Sequence, residues 1–169
     1  EDDVLIVLEE AREADDLRHE AAALTLLGDL YAADNDYDRA EAILSEAVQK
    51  WREVGDVSGV ANALRSLGMS YLFRGEHNRA DALISEAFAS YQSNGDRKGE
   101  AWALQNLAWI SFSEGDAGTA EARLHASAEL FGELLGPDHV VPVVVRQQHM
   151  RDLGALALRA LDQGLGHLV

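Results

Sequence analysis

The chain has no cysteine, so a disulfide framework, a thiolate metal site and a cysteine nucleophile are all closed to it. Proline occurs only at Pro137 and Pro142, which leaves everything before them free of the strongest helix breaker. Positive charge is scarce: 14 Lys and Arg stand against 30 Asp and Glu, a formal charge of -16. A surface of that sign repels phosphate backbones and anionic headgroups, so neither nucleic acid nor a membrane surface is an expected partner. No stretch approaches the roughly 18 consecutive uncharged apolar residues of a membrane span. The start, Glu1-Asp2-Asp3, is the reverse of a signal peptide's basic opening. These absences point to a cytoplasmic chain, and 169 residues with 47% hydrophobic content suffice for one folded unit.

What is present is a repeat. A shift of 40 residues places Ala21, Ala23, Leu24, Leu27, Gly28 and Tyr31 on Ala61, Ala63, Leu64, Leu67, Gly68 and Tyr71. The match continues from Arg39, Ala40, Ala42, Ser45, Glu46, Ala47, Gly55 and Asp56 to Arg79, Ala80, Ala82, Ser85, Glu86, Ala87, Gly95 and Asp96. That makes 14 identities in 40 positions; ordinary composition would give about 2 to 3. A further shift finds Gly99, Ala101, Ala103, Leu104, Leu107, Gly115, Ala120 and Ala122.

Within each unit apolar residues fall three and four apart, as in Leu24, Leu27, Tyr31 and then Ala40, Ile43, Leu44, Ala47, which is the spacing of one helical face. Each unit therefore reads as two helices, and the pattern predicts helices over 4–14, 19–33, 37–53, 59–73, 77–93, 100–113 and 117–134. Asn35, Gly75 and Gly115 mark the turns inside units, each followed by an acid able to cap the next helix. Gly55-Asp56 and Gly95-Asp96 mark the turns between units. Small residues recur where paired helices must approach: Gly28, Gly68 and Ala108 on the first helix, Ala40, Ala80 and Ala120 on the second.

Leu27-Gly28-Asp29-Leu30-Tyr31 and Leu67-Gly68-Met69-Ser70-Tyr71, with Ala40, Ala47, Ala80 and Ala87 behind them, resemble the tetratricopeptide repeat family. The third copy departs from the pattern, with Leu107-Ala108-Trp109-Ile110-Ser111 and with Ser127 at an alanine position. The resemblance implies an all-α, right-handed superhelix of antiparallel helix pairs, an α-solenoid. It divides the chain into a half repeat (1–18), repeats 19–58, 59–98 and 99–135, and degenerate capping helices over 136–169. In the last stretch Gly136-Pro137-Asp138-His139 breaks the period, Val140 to Val145 is β-branched, and Met150, Leu153, Leu156, Leu158 and Leu161 suggest one or two short helices. The 40-residue period is similar to the lengthened repeats in sensor arms of bacterial multidomain regulators, and an opening half repeat without Met reads as part of a longer protein.

No chemistry-bearing motif competes with that reading. His19, His77, His125, His139, His149 and His167 never pair at helical ligand spacing, and no phosphate-cradling loop or nucleophile elbow occurs, so no catalytic residue, metal or cofactor is expected. Glu41, Glu46, Asp81, Glu86 and Glu121 read as solvated exterior of the second helices. The resemblance puts the inner surface on the first helices, where Trp102, Gln105, Trp109 and Phe112 share a face; Asn62, Arg65, Met69 and Leu72 precede them, and Ala22, Thr25, Asp29 and Ala32 come before those. Asn62, Arg65, Met69, Trp102, Gln105 and Trp109 are the candidate groove for a protein or peptide segment. Two alternatives stand beside that one, a groove closing on a small effector and a spacer with no ligand; against a groove of any kind stands the reading that Val140 to Val145 or a neighbouring domain covers Trp102, Trp109 and Phe112. A clamp for a C-terminal carboxylate would draw on Asn62, Arg65 and Asn106, but the first unit offers Thr25, Leu26 and Asp29 at the matching positions.

Overall fold

The computed structural model describes residues 2–135, which form seven helices. These are α1 (Asp2–Glu13), α2 (Leu17–Ala33), α3 (Tyr37–Val54), α4 (Val57–Phe73), α5 (His77–Asn94), α6 (Arg97–Ser113) and α7 (Ala117–Leu135). The expected capping helices over 136–169 and the Val140 to Val145 segment lie outside the described residues. Besides α1, which begins at Asp2 and not at residue 4, three helices start two or three residues earlier than the apolar pattern predicts: α2, α4 and α6. The cause is the aspartate before each, since Asp16, Asp56 and Asp96 accept hydrogen bonds from the backbone N–H of His19, Gly59 and Gly99 at 3.1, 2.9 and 2.9 Å. Asp36 and Asp116 cap α3 and α7 in the same way. Glu76 does not cap α5. Its longer side chain turns instead to Arg74 at 2.8 Å and Arg79 at 2.9 Å. Gly55 and Gly95 end their helices in the left-handed region, with φ of 74° and 71°, where a side chain would be strained.

Each short turn folds the chain back, so α2 packs on α3, α4 on α5 and α6 on α7; successive units then stack through α3 on α4 and α5 on α6. The first helices also pack on one another, α2 with α4 and α4 with α6, whereas α3 and α5 reach each other through long charged side chains, Arg52 with Glu86 and Arg79 with Glu41. The result is an α-solenoid with α2, α4 and α6 as one layer and α1, α3, α5 and α7 as the other.

The core runs along the seam between the layers. Leu24, Leu44, Leu64 and Ile84 are fully buried, each side chain contributing about 1.5–3 kcal/mol by leaving water. Leu44 lies over Gly28, and Ile84 over Gly68, so tightly that an added methyl would overlap them. Between units the same device recurs with larger partners: the Trp51 ring lies on Gly59 and the Tyr91 ring on Gly99. Both members of that pair repeat at forty residues, a signal the apolar spacing alone does not carry.

Two departures in the third unit have a structural cause. Ser127 is buried and donates to the Ala101 carbonyl at 2.9 Å, so a hydroxyl serves where a methyl stood in the other units. Ser111 stands where the other units carry Tyr31 and Tyr71, and Arg123 reaches into that place, donating to Ser111 Oγ at 2.6 Å and the Leu107 carbonyl at 2.8 Å.

Of the second-helix carboxylates, Glu86 and Glu121 are exposed as expected, whereas Glu41, Glu46 and Asp81 are half-buried. Glu46 pairs with Arg12 at 2.8 Å and Glu86 with Arg52 at 3.1 Å, one repeating bridge between successive second helices. Glu41 accepts from the Tyr71 hydroxyl at 2.5 Å and pairs with Arg74 at 2.8 Å and Arg79 at 3.2 Å. The Tyr71 hydrogen bond, followed by the two arginines, holds the Glu41 carboxyl below its usual range. Burial, followed by the Glu41 carboxylate, pushes Tyr71 up to about 12.

Candidate functional site

Burial along the three first helices separates their faces. Among the described residues α4 has a first helix on either side, whereas α2 has one only after it and α6 only before it. Position by position, the residues Ala22, Asn62 and Trp102 are exposed in every unit, and Thr25, Arg65 and Gln105 are half-buried in every unit. Asp29 and Trp109 are exposed and Met69 is half-buried. These positions lie opposite the stripe of Ala23, Leu27 and Gly28 that enters the core. All six candidate residues therefore share one open face of the solenoid.

Phe112 belongs elsewhere. Its counterpart Leu72 is buried to 6% whereas Phe112 is 64% exposed, and Leu104 is half-buried where Leu24 and Leu64 are closed. Residues that are covered on α4 and open only on α6 face the next unit, so Leu104 and Phe112 form a stacking edge. The opposite stripe behaves in reverse: Leu26 is 52% exposed while Ser66 is buried, and Leu30 is half-buried while Ser70 and Ile110 are closed. Residues two positions apart in a helix point about 200° apart, which puts these stripes on opposite flanks.

Second-helix aromatics support the open face from below. Trp51 Nε1 donates to Thr25 Oγ1 at 3.0 Å, and the Tyr91 hydroxyl donates to Asn62 Oδ1 at 2.8 Å. In the third unit Phe131, at the same position, meets Trp102 edge to face with ring centroids 5.4 Å apart. Burial raises the pKa of the Tyr91 hydroxyl, while the nearby Arg65 guanidinium opposes that shift. Asn62 and Arg65 thus converge on Tyr91, so part of their polar capacity supports the fold. Sequence reasoning missed Tyr91 and Phe131; their forty-residue spacing from Trp51 was the available signal.

Trp102 and Trp109 lie on that face, 45% and 60% exposed. Seven residues apart, they point within about 20° of each other and stand about 10 Å apart along the helix. Gln105 sits between them with an amide able both to donate and to accept. Asn106 is different: its Nδ2 is buried without a hydrogen-bond partner on the flank facing α4, so it does not join Asn62 and Arg65 in a clamp. A depression of about 330 Å³ lined by Asp34, Asn35, Asp36, Tyr37, Asp38 and Arg74 lies at the α2–α3 turn, away from the six candidates. Arg74 is already engaged there by Asp38, Glu41 and Glu76.

Among the described residues no group of three or more His, Cys, Asp or Glu is placed to hold a metal ion. No described helix is long and apolar enough to cross a membrane. Residues 19–93 match the tetratricopeptide repeat family. The fold is similar to the crystal structure of BtubC (BKLC) from P. vanneervenii, with a TM-score of 0.71 at 23% identity, over 88% of this chain and 65% of that one. The chain thus spans just under two thirds of that protein's length, and at this identity the likeness is one of fold. No curated protein sequence matches.

Proposed function

With residues 19–93 belonging to the tetratricopeptide repeat family, whose repeats generally mediate protein–protein interaction without catalysis, we propose that the chain is a binding module for an extended protein or peptide segment laid across α2, α4 and α6. The observation that carries this reading is the pair of exposed indoles, Trp102 and Trp109, aligned on the face opposite the core. Fully covering such a ring removes on the order of 150–250 Å² from water, and indoles of this kind are frequent anchors at interfaces. The charge of the surface supports the same face. Helices α4 and α6 carry Arg65, Arg97 and Lys98 against the single acid Glu100, so this layer does not share the acidity of the whole chain.

The test starts from peptides selected against the whole chain from a random display library, then synthesised and titrated by tryptophan emission and calorimetry. Trp109→Ala should weaken binding by about 2 kcal/mol, roughly 30-fold, and Arg65→Ala by a smaller amount. An exterior variant, Glu53→Gln with Glu129→Gln, should change affinity by well under about 1 kcal/mol. Peptides that tolerate Trp109→Ala and Arg65→Ala but fail against the exterior variant would put recognition on the other layer.

A further inference from the structure

Charge pairing across the chain singles out the indole face. Acids outnumber bases by 30 to 14, and among the described residues almost every Lys and Arg is paired with a carboxylate, from Arg12 on Glu20 to Arg97 on Glu133. Arg123 instead donates to the Leu107 carbonyl and to Ser111. That leaves Arg65, beside the Tyr91 hydroxyl, and the exposed Lys98, neither of which meets a carboxylate among the described residues. Lys98, Trp102, Gln105 and Trp109 are four, three and four residues apart, so they share the open face of α6, and Arg65 holds the Gln105 position on α4. The same face is rich in free donors. Among the described residues neither the indole N–H of Trp102 and Trp109 nor the Gln105 amide has a hydrogen-bond partner, whereas the Trp51 N–H donates to Thr25 at 3.0 Å.

Spacing selects the backbone that such a face fits. Trp102 and Trp109 stand about 10 Å apart along α6, and Lys98 lies about 6 Å before Trp102. Side chains on one edge of an extended strand fall about 7 and 14 Å apart and miss the indole step. A helix matches the step, but its carbonyls are already bonded, and it needs a continuous apolar stripe, which Gln105 interrupts. A polyproline II segment turns once in three residues and rises about 3.1 Å per residue, so side chains three apart share an edge about 9 Å apart. Its carbonyls are free to accept, and each proline removes a donor where the face offers mainly donors. Resting on the reading of this face as a peptide groove, we propose that the stretch of the bound segment over α6 is acidic and proline-bearing, in the polyproline II conformation. Prolines three residues apart lie on Trp102 and Trp109, the carbonyls between them accept from Gln105, and a carboxylate beyond the first proline meets Lys98 and Arg65. The Trp102 ring is already set edge to face on Phe131, so that side of the slot is formed in advance. The acidity of the rest of the surface repels the same segment and steers its carboxylate to this face.

The chain has three tryptophans, whose indole N–H signals in a nitrogen–proton correlation spectrum report on the site directly. The full chain is titrated with an end-blocked peptide of core sequence Glu-Ala-Pro-Ala-Ala-Pro. The Trp102 and Trp109 signals should move along one binding curve while that of Trp51, bonded to Thr25, stays in place; no movement of either would overturn the proposal. Replacing both prolines by alanine, or deleting one alanine between them, should weaken binding by about tenfold, since the first frees the backbone and the second takes the prolines off one edge. Equal affinity of either altered peptide would overturn it. Replacing the peptide's glutamate by glutamine should weaken binding by about threefold at low salt, and by less in the Lys98→Gln chain; an unchanged affinity would remove the charge match and the proposal with it. Indole signals that shift with chain concentration alone would give the face to a second copy and overturn it as well. Display-library peptides that lack this spacing yet lose affinity with Trp109→Ala would overturn the ligand chemistry and leave the groove reading standing, whereas library peptides indifferent to Trp109→Ala would end both.

Discussion

Replacing Gly68 by alanine sets two effects against each other, and the structure says which wins. In a helix interior the exchange removes backbone entropy and gains up to about 1 kcal/mol. Here the new Cβ would lie 2.6 Å from Ile84 Cγ1, 3.2 Å from Ile84 Cδ1 and 3.3 Å from the Ala80 carbonyl oxygen. Ile84 is fully buried and the Ala80 carbonyl is backbone, so neither yields without moving α4 away from α5. Overpacking of this kind costs about 1–3 kcal/mol, which leaves a net loss of about 1–2 for alanine and about 2–4 for leucine. Urea unfolding followed by circular dichroism measures it. The decisive comparison is the double-mutant cycle with Ile84→Ala, which removes the atoms in the way; on that background Gly68→Ala should become neutral or stabilising, a coupling of about 2 kcal/mol. Gly118→Ala is the control, since its Cβ would meet only Asp116 Oδ1 at 3.7 Å, and it should stabilise by up to about 1 kcal/mol. If Gly68→Ala raises stability in the wild-type background, the close approach of α4 and α5 at this glycine is wrong.

Two further outcomes can be measured on the same material. Tyr71 is raised from 10.0 to about 12 in the folded chain, so the stability it contributes is fully present below pH 10 and is lost as pH rises through about 12; Tyr71→Phe should flatten the alkaline limb of a stability-against-pH curve, and an unchanged limb would contradict the upward shift that burial and, after it, the Glu41 carboxylate impose on Tyr71. Asn106→Leu replaces an amide whose nitrogen is buried without a partner by an apolar group of similar shape, and the urea midpoint should rise by the equivalent of about 1 kcal/mol, whereas a fall of that size would mean the amide is bonded.

Most of the fold was legible because the repeat prints it twice over. Fourteen identities at a shift of 40 placed the units, and the glycine and aspartate turns placed the helix ends to within three residues. Cap geometry, not periodicity, decided the remaining residues, since Asp16, Asp56 and Asp96 bond the third residue on and pull the helix start toward themselves. What apolar spacing could not convey was direction. Phe112 and Trp109 look alike in a sequence, three residues apart and both aromatic, yet one lies on the flank that stacks and the other on the face that stays open. Only the burial of Leu72 beside the exposure of Phe112 separates them. Charge was misread for a related reason: Glu41 sits on a second helix like any exterior acid, and its partners Tyr71, Arg74 and Arg79 come from beyond the next turn.

The units differ where they do not have to agree. Ala21, Ala23, Leu24, Leu27 and Gly28 recur because each meets another helix, and a change of volume at any of them must be answered across the seam. Ala22, Thr25 and Asp29 give way to Asn62, Arg65 and Met69 and then to Trp102, Gln105 and Trp109, because these positions lie outside the close-packed seam, exposed or half-buried. The supports beneath change in step: Trp51 bonds Thr25, Tyr91 bonds Asn62, and Phe131 meets Trp102 edge-on, so each residue above is matched in polarity by the aromatic below it. A second-helix side chain that closes the joint between units thereby also fixes a side chain of the open face, and the surface is held in place before any partner arrives. A surface held in this way spares a partner part of the ordering cost that a mobile one would impose. Its chemistry also runs in one direction, from small and acidic on α2 through cationic on α4 to aromatic on α6, so on the proposed reading a segment laid across the three helices should bind better in one orientation than with its sequence reversed, a comparison that titration of the two peptides measures.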